Sequence, residues 1–326
     1  MKQPCFASHI NTNKRPNARE RAGRLAPVVR GETLIRIGPA GWAYKDWQGI
    51  VYPSKKPRGF YELSFLAQYF DTVEINVTFY RPVAANIAAT WLERIVHNNR
   101  FRFTAKLWRG FTHDRNATPA DEQEFKNGLA PLFQAGVLGA LLVQFPWSFR
   151  NTEENRAYVA RLRTRFADYP AVLEVRHASW SEPGVLDFLE QLDLGLCNID
   201  QPLFKRSVKP AALSTSGIGY IRLHGRNYQS WFTENKHTGE RYDYLYSAAE
   251  LDPWLDRIKT VEHATKDTYV VTNNHYLGKA VVNAVEISSI LKGQPVPAPA
   301  QLVIKYPELE EFVKPEGPGQ LALEIG

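Results

Sequence analysis

Eight short β-rich segments recur along this chain, and the stretches between them are long enough to hold helices. That alternation constrains the fold more than any single motif. The segments are LIRIG (34–38), TVEIN (72–76), FRFTAK (101–106), LGALLVQF (138–145), AVLEVRH (171–177), LGLCNID (194–200), GYIRLHG (219–225) and TYVVTNN (268–274). Helical patterns fall at 60–69, 84–97, 121–135, 153–168, 183–191, 248–264 and 278–291. Thr152 before two glutamates predicts an N-cap, and Pro183 suits a first helical turn. The sixth connection, 201–218, lacks a helical pattern beyond a short turn at Phe204–Val208, and 226–247 reads as a long loop. Alternating strands and helices predict a parallel sheet, and eight of them predict a closed TIM-type (β/α)8 barrel with an irregular connection after strand six. An open, doubly wound sheet fits less well. GPAG after the first strand lacks the GxGxxG spacing, and GWAYKDW does not begin an apolar helix. The expected organisation is a basic leader (1–32), one barrel domain (33–291) and an extension (292–326) packing on the barrel.

Charge separates the leader from the body. The chain has 40 Lys and Arg against 34 Asp and Glu, a net charge of +6. Residues 1–30 hold Lys2, Lys14, Arg15, Arg19, Arg21, Arg24 and Arg30 against Glu20 alone, so seven minus one accounts for the whole excess. The body is therefore neutral, which argues against extended duplex binding and leaves the leader a weak, salt-sensitive contact with nucleic acid. The leader has no apolar core of a secretory signal, and no apolar run approaches the roughly 18 residues of a membrane span. The two cysteines, Cys5 and Cys197, support neither a disulfide framework nor a thiolate metal cluster. A reducing, cytoplasmic location is expected.

Functional side chains of a barrel gather where its strands end, and side chains alternate between lumen and helix layer. VLEVRHASW (172–180) poses the question most sharply, because an apolar strand turns charged where burial is costly. One parity places Val172, Glu174 and Arg176 inward in ascending layers, with Leu173 and Val175 outward. Applied along the chain, it brings Glu74 and Asn76, Thr104 and Lys106, Leu142 and Gln144, Asn198 and Asp200, Arg222 and His224, and Asn273 to one mouth. Trp42, Tyr80, Trp180, Tyr242 and Tyr244 add aromatic surface from the loops, and His113 and His177 stand at the rim.

Among chemistries, hydrolysis of a phosphate- or carboxylate-containing small molecule fits these residue types best. Lys106, Arg176 and Arg222 would hold the anion. Glu74 or Glu174 would accept a proton from water, and His224 would donate one to the leaving group. Asn76, Gln144, Asn273, Tyr80, Trp42 and Trp180 would contact the substrate. Two other readings use the same mouth. One is non-catalytic binding of a metabolite or a single-stranded nucleic-acid end by stacking and charge. The other is a divalent-metal phosphodiesterase or sugar-processing enzyme with Glu74, Glu174, Asp200, His224 and His113 as ligands. No cofactor beyond such a metal is implied.

The motifs GPAGWAYKDWQGIVYP, FDTVEINVTFYR, FRFTAKLWRGFTH, LLVQFPWSF, LEVRHASW, YIRLHG and VVTNNHYLGKAVVNA, in this order between residues 34 and 291, resemble the YecE-like family, domain of unknown function 72. The resemblance implies a TIM-type barrel. The family's activity is not established, so it assigns no catalytic roles. The opening GPAGW departs from the usual small polar residue near Pro39 and Ala40.

Overall fold

Residues 34–231 and 239–314 are described by a computed structural model of the chain. The strands are β1 (Leu34–Pro39), β2 (Thr72–Ile75), β3 (Arg102–Lys106), β4 (Leu138–Gln144), β5 (Ala171–Glu174), β6 (Gly195–Asp200), β7 (Ile218–Leu223) and β8 (Asp267–Thr272). All pair in parallel, in the order β1-β8-β7-β6-β5-β4-β3-β2. The two edge strands meet through a parallel bridge between Ala40 and Glu74, and Gly41 N donates to Glu74 O at 2.8 Å. The result is a nearly closed barrel of the TIM type. Gly38 makes that approach possible, because a Cβ there would lie 1.8 Å from the Thr72 carbonyl oxygen.

The main crossover helices are α1 (Glu62–Leu66), α2 (Ala85–Ile95), α3 (Pro119–Gln134), α4 (Glu153–Arg165), α5 (Val185–Gln191) and α6 (Ala248–Ala264), with α7 (Lys279–Lys292) after β8. Thr152 caps α4, its side chain accepting from Asn155 N as the sequence predicts. Thr118 caps α3 in a full capping box with Asp121, followed by Pro119 at the first position. Between β6 and β7 no described residue is helical.

Two cores follow from the alternation of side chains. The outer one lies between strands and helices and includes Val73, Ile75, Leu173, Val175, Ile221 and Leu223. Leu302 and Leu309, beyond α7, belong to it as well, and Tyr306 Oη donates to Leu277 O at 2.8 Å. The inner one is a small plug of Ala140, Leu142, Val172, Cys197, Ile199, Tyr220, Tyr269 and Val271. Each fully buried large side chain contributes about 1.5–3 kcal/mol relative to exposure. The plug fills the middle of the lumen and separates the mouth at the strands' carboxyl ends from the other end, where buried Arg36 pairs with Asp267. The basic leader lies outside the described residues, as do 315–326 of the C-terminal extension. No described helix is long and apolar enough to cross a membrane.

Candidate functional site

Above the plug, six strands carry the expected inward residues, and β6 does not. Cys197 and Ile199 fill the lumen there, which turns Asn198 and Asp200 outward. The cause is the missing sixth helix. The loop that replaces it brings bare backbone to the outer face of β6. Asn198 answers it, donating to Leu213 O and accepting from Leu213 N, both at 2.8 Å. Asp200 pairs with Arg226 at 2.9 Å. Asp200 is therefore not part of the mouth.

The centre of the lumen is a buried charge network. Arg222 donates from Nη2 to Glu74 Oε1 at 2.6 Å and from Nη1 to Glu174 Oε2 at 2.7 Å. Arg176 Nη2 donates to Glu174 Oε1 at 2.7 Å, and the same oxygen accepts from Gln144. Tyr220 donates its hydroxyl to Glu74 Oε2 at 2.9 Å and lies 2.8 Å from Thr104 Oγ1. Burial alone would raise the pKa of Glu174, but Arg222, His224 and Arg176 together hold it well below the ordinary carboxylate value. The ion pairs thus outweigh desolvation, and the carboxylate stays charged.

His224 sits in the same layer, fully buried. Asn273 Nδ2 donates to its Nδ1 at 2.9 Å. Its Nε2 lies 3.2 Å from Glu174 Oε1 and 3.3 Å from both Arg176 Nη2 and Arg222 Nη1. Burial pushes its pKa down to about 3, and the neighbouring Arg176 and Arg222 oppose a second proton while Glu174 favours it. The imidazole is neutral and braces Glu174.

A cavity of about 860 Å³ opens above this network. Its lining includes Lys106, Arg176 and Arg222 together with Asn76, Tyr80, His113, Gln144, Tyr242 and Asn273. Arg176 lies beside Trp231, its guanidinium carbon 5.4 Å from the ring centroid. Lys106 differs from the arginines. Among the described residues its Nζ has no hydrogen bond or ion pair, and it stands 4.1 Å from the centroid of the Phe79 ring. Burial and then Arg222 push its pKa down to about 7, against the opposing pull of Glu74 and Glu174. His113 packs edge-on against Phe79 and contacts Thr112 Oγ1 through Nδ1 at 2.9 Å. Burial, followed by Lys106, brings its pKa down to about 4.

The family model "Protein of unknown function DUF72" matches residues 36–302. The chain belongs to the DUF72 family. It is similar to a crystal structure of a DUF72 family protein from Thermotoga maritima MSB8, with 29% identity over 79% of this chain and 99% of the other, at a TM-score of 0.67. A DUF72 family protein from Enterococcus faecalis V583 shares 26% identity over 79% of this chain and 96% of the other, at a TM-score of 0.69. Among curated proteins none matches the chain.

Several residues expected at the mouth of this DUF72 barrel lie elsewhere. Trp42 packs edge-on against Trp91 of α2, with ring centroids 5.4 Å apart. Trp180 is buried, stacked on Phe149 and bonded through Nε1 to Phe149 O at 2.9 Å. It lines a separate cavity of about 370 Å³ on the outer side of β5 and β6. His177 caps the short helical turn Ala178–Ser181 by accepting from Ser179 N. Tyr244 donates its hydroxyl to Glu250 in the first turn of α6. Glu74, Glu174 and His224 do come together, but beneath the cavity and outside its lining. Among the described residues no three His, Cys, Asp or Glu side chains converge as a metal-binding group. The arginines occupy the two central glutamates, and Asp200 faces away.

The cavity also has walls that sequence reasoning left out. Trp147 follows β4, Trp231 lies in the loop after β7, and His275 follows β8. Tyr44 stacks on His275, with centroids 4.2 Å apart and planes 13° from parallel. Trp147 and His275 stand within QFPW and NNHY, directly after strands, where barrel sites collect side chains. That position is the signal that could have found them. Tyr220 lies two residues before Arg222 and was available to the same parity.

Proposed function

We propose that this DUF72 barrel binds a small molecule with an anionic group and a planar or ring-shaped body in its mouth. One observation carries the reading. Cationic side chains at the ends of three strands, Lys106 on β3, Arg176 just after β5 and Arg222 on β7, line one cavity, while the glutamates that balance the arginines lie outside its lining. A carboxylate or phosphate entering the cavity meets these cations before the glutamates that balance them. Charge-assisted bonds to arginine are worth roughly 1.5–3 kcal/mol each. Tyr44, Trp147, Trp231 and Tyr242 supply ring surface above it.

Binding is favoured over direct hydrolysis by Glu74, Glu174 and His224. A general base must reach the water it activates, and both carboxylates have no exposed surface and are taken up by arginine. His224 is equally enclosed and neutral. A single-stranded nucleic-acid end offers the same phosphate and ring, but the neutral body favours the smaller ligand. Calorimetric titration with pyrophosphate, a sugar phosphate and a phosphorylated oligonucleotide tests this. Wild type should bind the first two at low salt, and Arg176→Ala should weaken them about tenfold or more, the loss of one charge-assisted bond. Equal affinity in wild type and Arg176→Ala would place the anion site elsewhere.

A further inference from the structure

The floor of the mouth holds one amine that the carboxylates beneath it leave alone. Glu74 accepts from Arg222 and Tyr220, and Glu174 accepts from Arg222, Arg176 and Gln144. Lys106 ends β3 and shares the cavity with those arginines, yet its Nζ has no hydrogen bond or ion pair among the described residues. Phe79 lies against Nζ, and the charged or titratable groups around the amine are Arg176 just after β5, Arg222 on β7, Glu74 on β2, Glu174 on β5 and His113 after β3. A lysine in an open cavity, beside two paired arginines and without a counter-ion, is placed to react rather than to hold the fold together.

We propose that Lys106 is a nucleophilic amine that forms an imine with the aldehyde or keto group of an anionic substrate held by Arg176 and Arg222. This rests on the anion-binding reading above and adds a reaction class to it. The unprotonated Nζ attacks the carbonyl carbon. The N–C bond forms as the C=O π pair moves to oxygen, giving a carbinolamine. That oxygen leaves as water with the two amine protons, which solvent in the open mouth carries, and the C=N bond replaces it. Amine plus carbonyl gives imine plus water, with no oxidant or reductant.

Charge balance favours the sequence of events. With Lys106 uncharged, Arg176 and Arg222 are matched by Glu74 and Glu174, so the floor is neutral. The arriving anion adds one negative charge, and protonation of the imine nitrogen restores balance beside it. The amine is poised for the first step, since burial and Arg222 bring its pKa down to about 7. Relative to an ordinary lysine, the reactive fraction near neutral pH rises from about one in 3,000 to about one half.

The test uses the full-length wild-type protein, glyoxylate as a small anionic aldehyde, and cyanoborohydride near neutral pH. Peptide mapping by mass spectrometry locates the carboxymethyl group that reduction leaves on a reacting lysine. Phosphate binding is measured in parallel by calorimetry. Modification of Lys106 should run on the order of 100-fold faster than that of the exposed Lys45 at the rim, and excess inorganic phosphate should slow it. Labelling of Lys106 no faster than Lys45, with phosphate still bound, would overturn the imine and leave the anion site standing. Absence of both would overturn the two together.

Discussion

The two sides of the barrel mouth treat positive charge in opposite ways. On the β5 and β7 side, Arg176 and Arg222 are tied to Glu174 and Glu74 by contacts of 2.6–2.7 Å. On the β3 side, Lys106 faces the same cavity with the Phe79 ring against its Nζ and, among the described residues, no hydrogen bond or ion pair. Arg222 and Lys106 are both cations at strand ends, yet only the arginine is built into the fold. The difference separates charge that the structure needs from charge it tolerates for another purpose. A buried ion pair rarely outperforms an apolar core, but removing one partner strands the other.

The largest expected effect breaks the paired side. Arg222→Met leaves Glu74 and Glu174 buried without their shared partner, and should cost about 3–5 kcal/mol in urea unfolding. Lys106→Met removes no partner and should be neutral or stabilising by about 1 kcal/mol. Equal losses in the two variants would erase the distinction.

A smaller effect concerns pH. The Lys106 pKa is about 7 in the folded protein against an ordinary 10.5. Between these values the unfolded chain holds a proton that the folded chain has released, so stability rises as pH increases across that window. Below it both states are protonated, and the full burial penalty applies. The slope is at most about 1.4 kcal/mol per pH unit, reduced because the side chain is partly exposed. Wild type minus Lys106→Met, unfolded in urea near pH 7 and near pH 9, isolates the term. An unchanged difference would mean that Lys106 titrates like a surface lysine.

The smallest effect on anion affinity is expected outside the mouth. Asn198→Val on the outer face of β6 should cost about 1–3 kcal/mol, because the Leu213 backbone loses both partners, and anion affinity should stay unchanged. Trp180→Phe should also leave affinity unchanged while mildly loosening its buried contact with Phe149. A fall in affinity from either variant would extend the site beyond the cavity.

The barrel was legible because strand spacing and helical patterns agree along the chain, and the β5 parity read from Glu174 and Arg176 carried to five other strands. It fails on β6 because polarity there does not mark the lumen. Asn198 and Asp200 are polar for the sake of a loop that replaces a helix, and sequence alone does not show where that loop lies. The missing helix between 201 and 218 was itself visible, and it is the physical reason for the exception. Depth was hidden too. Glu74, Glu174 and His224 belong to the right cluster, but alternation fixes a face and not whether a group lies above or below its partner. The aromatic residues divided for a similar reason. Tyr80 and Tyr242 line the cavity, whereas Trp42 and Trp180 pack on neighbouring rings, a choice made by contacts distant in the chain.

The most direct test of the mouth as an anion site is a crystal of the full-length protein soaked in tungstate, whose scattering marks its position. The account predicts a tetrahedral anion against Arg176 and Arg222, within hydrogen-bond reach of Arg176 and absent from crystals of Arg176→Ala. Tungstate bound only at other surfaces, with water alone in the mouth at saturating concentration, would contradict it.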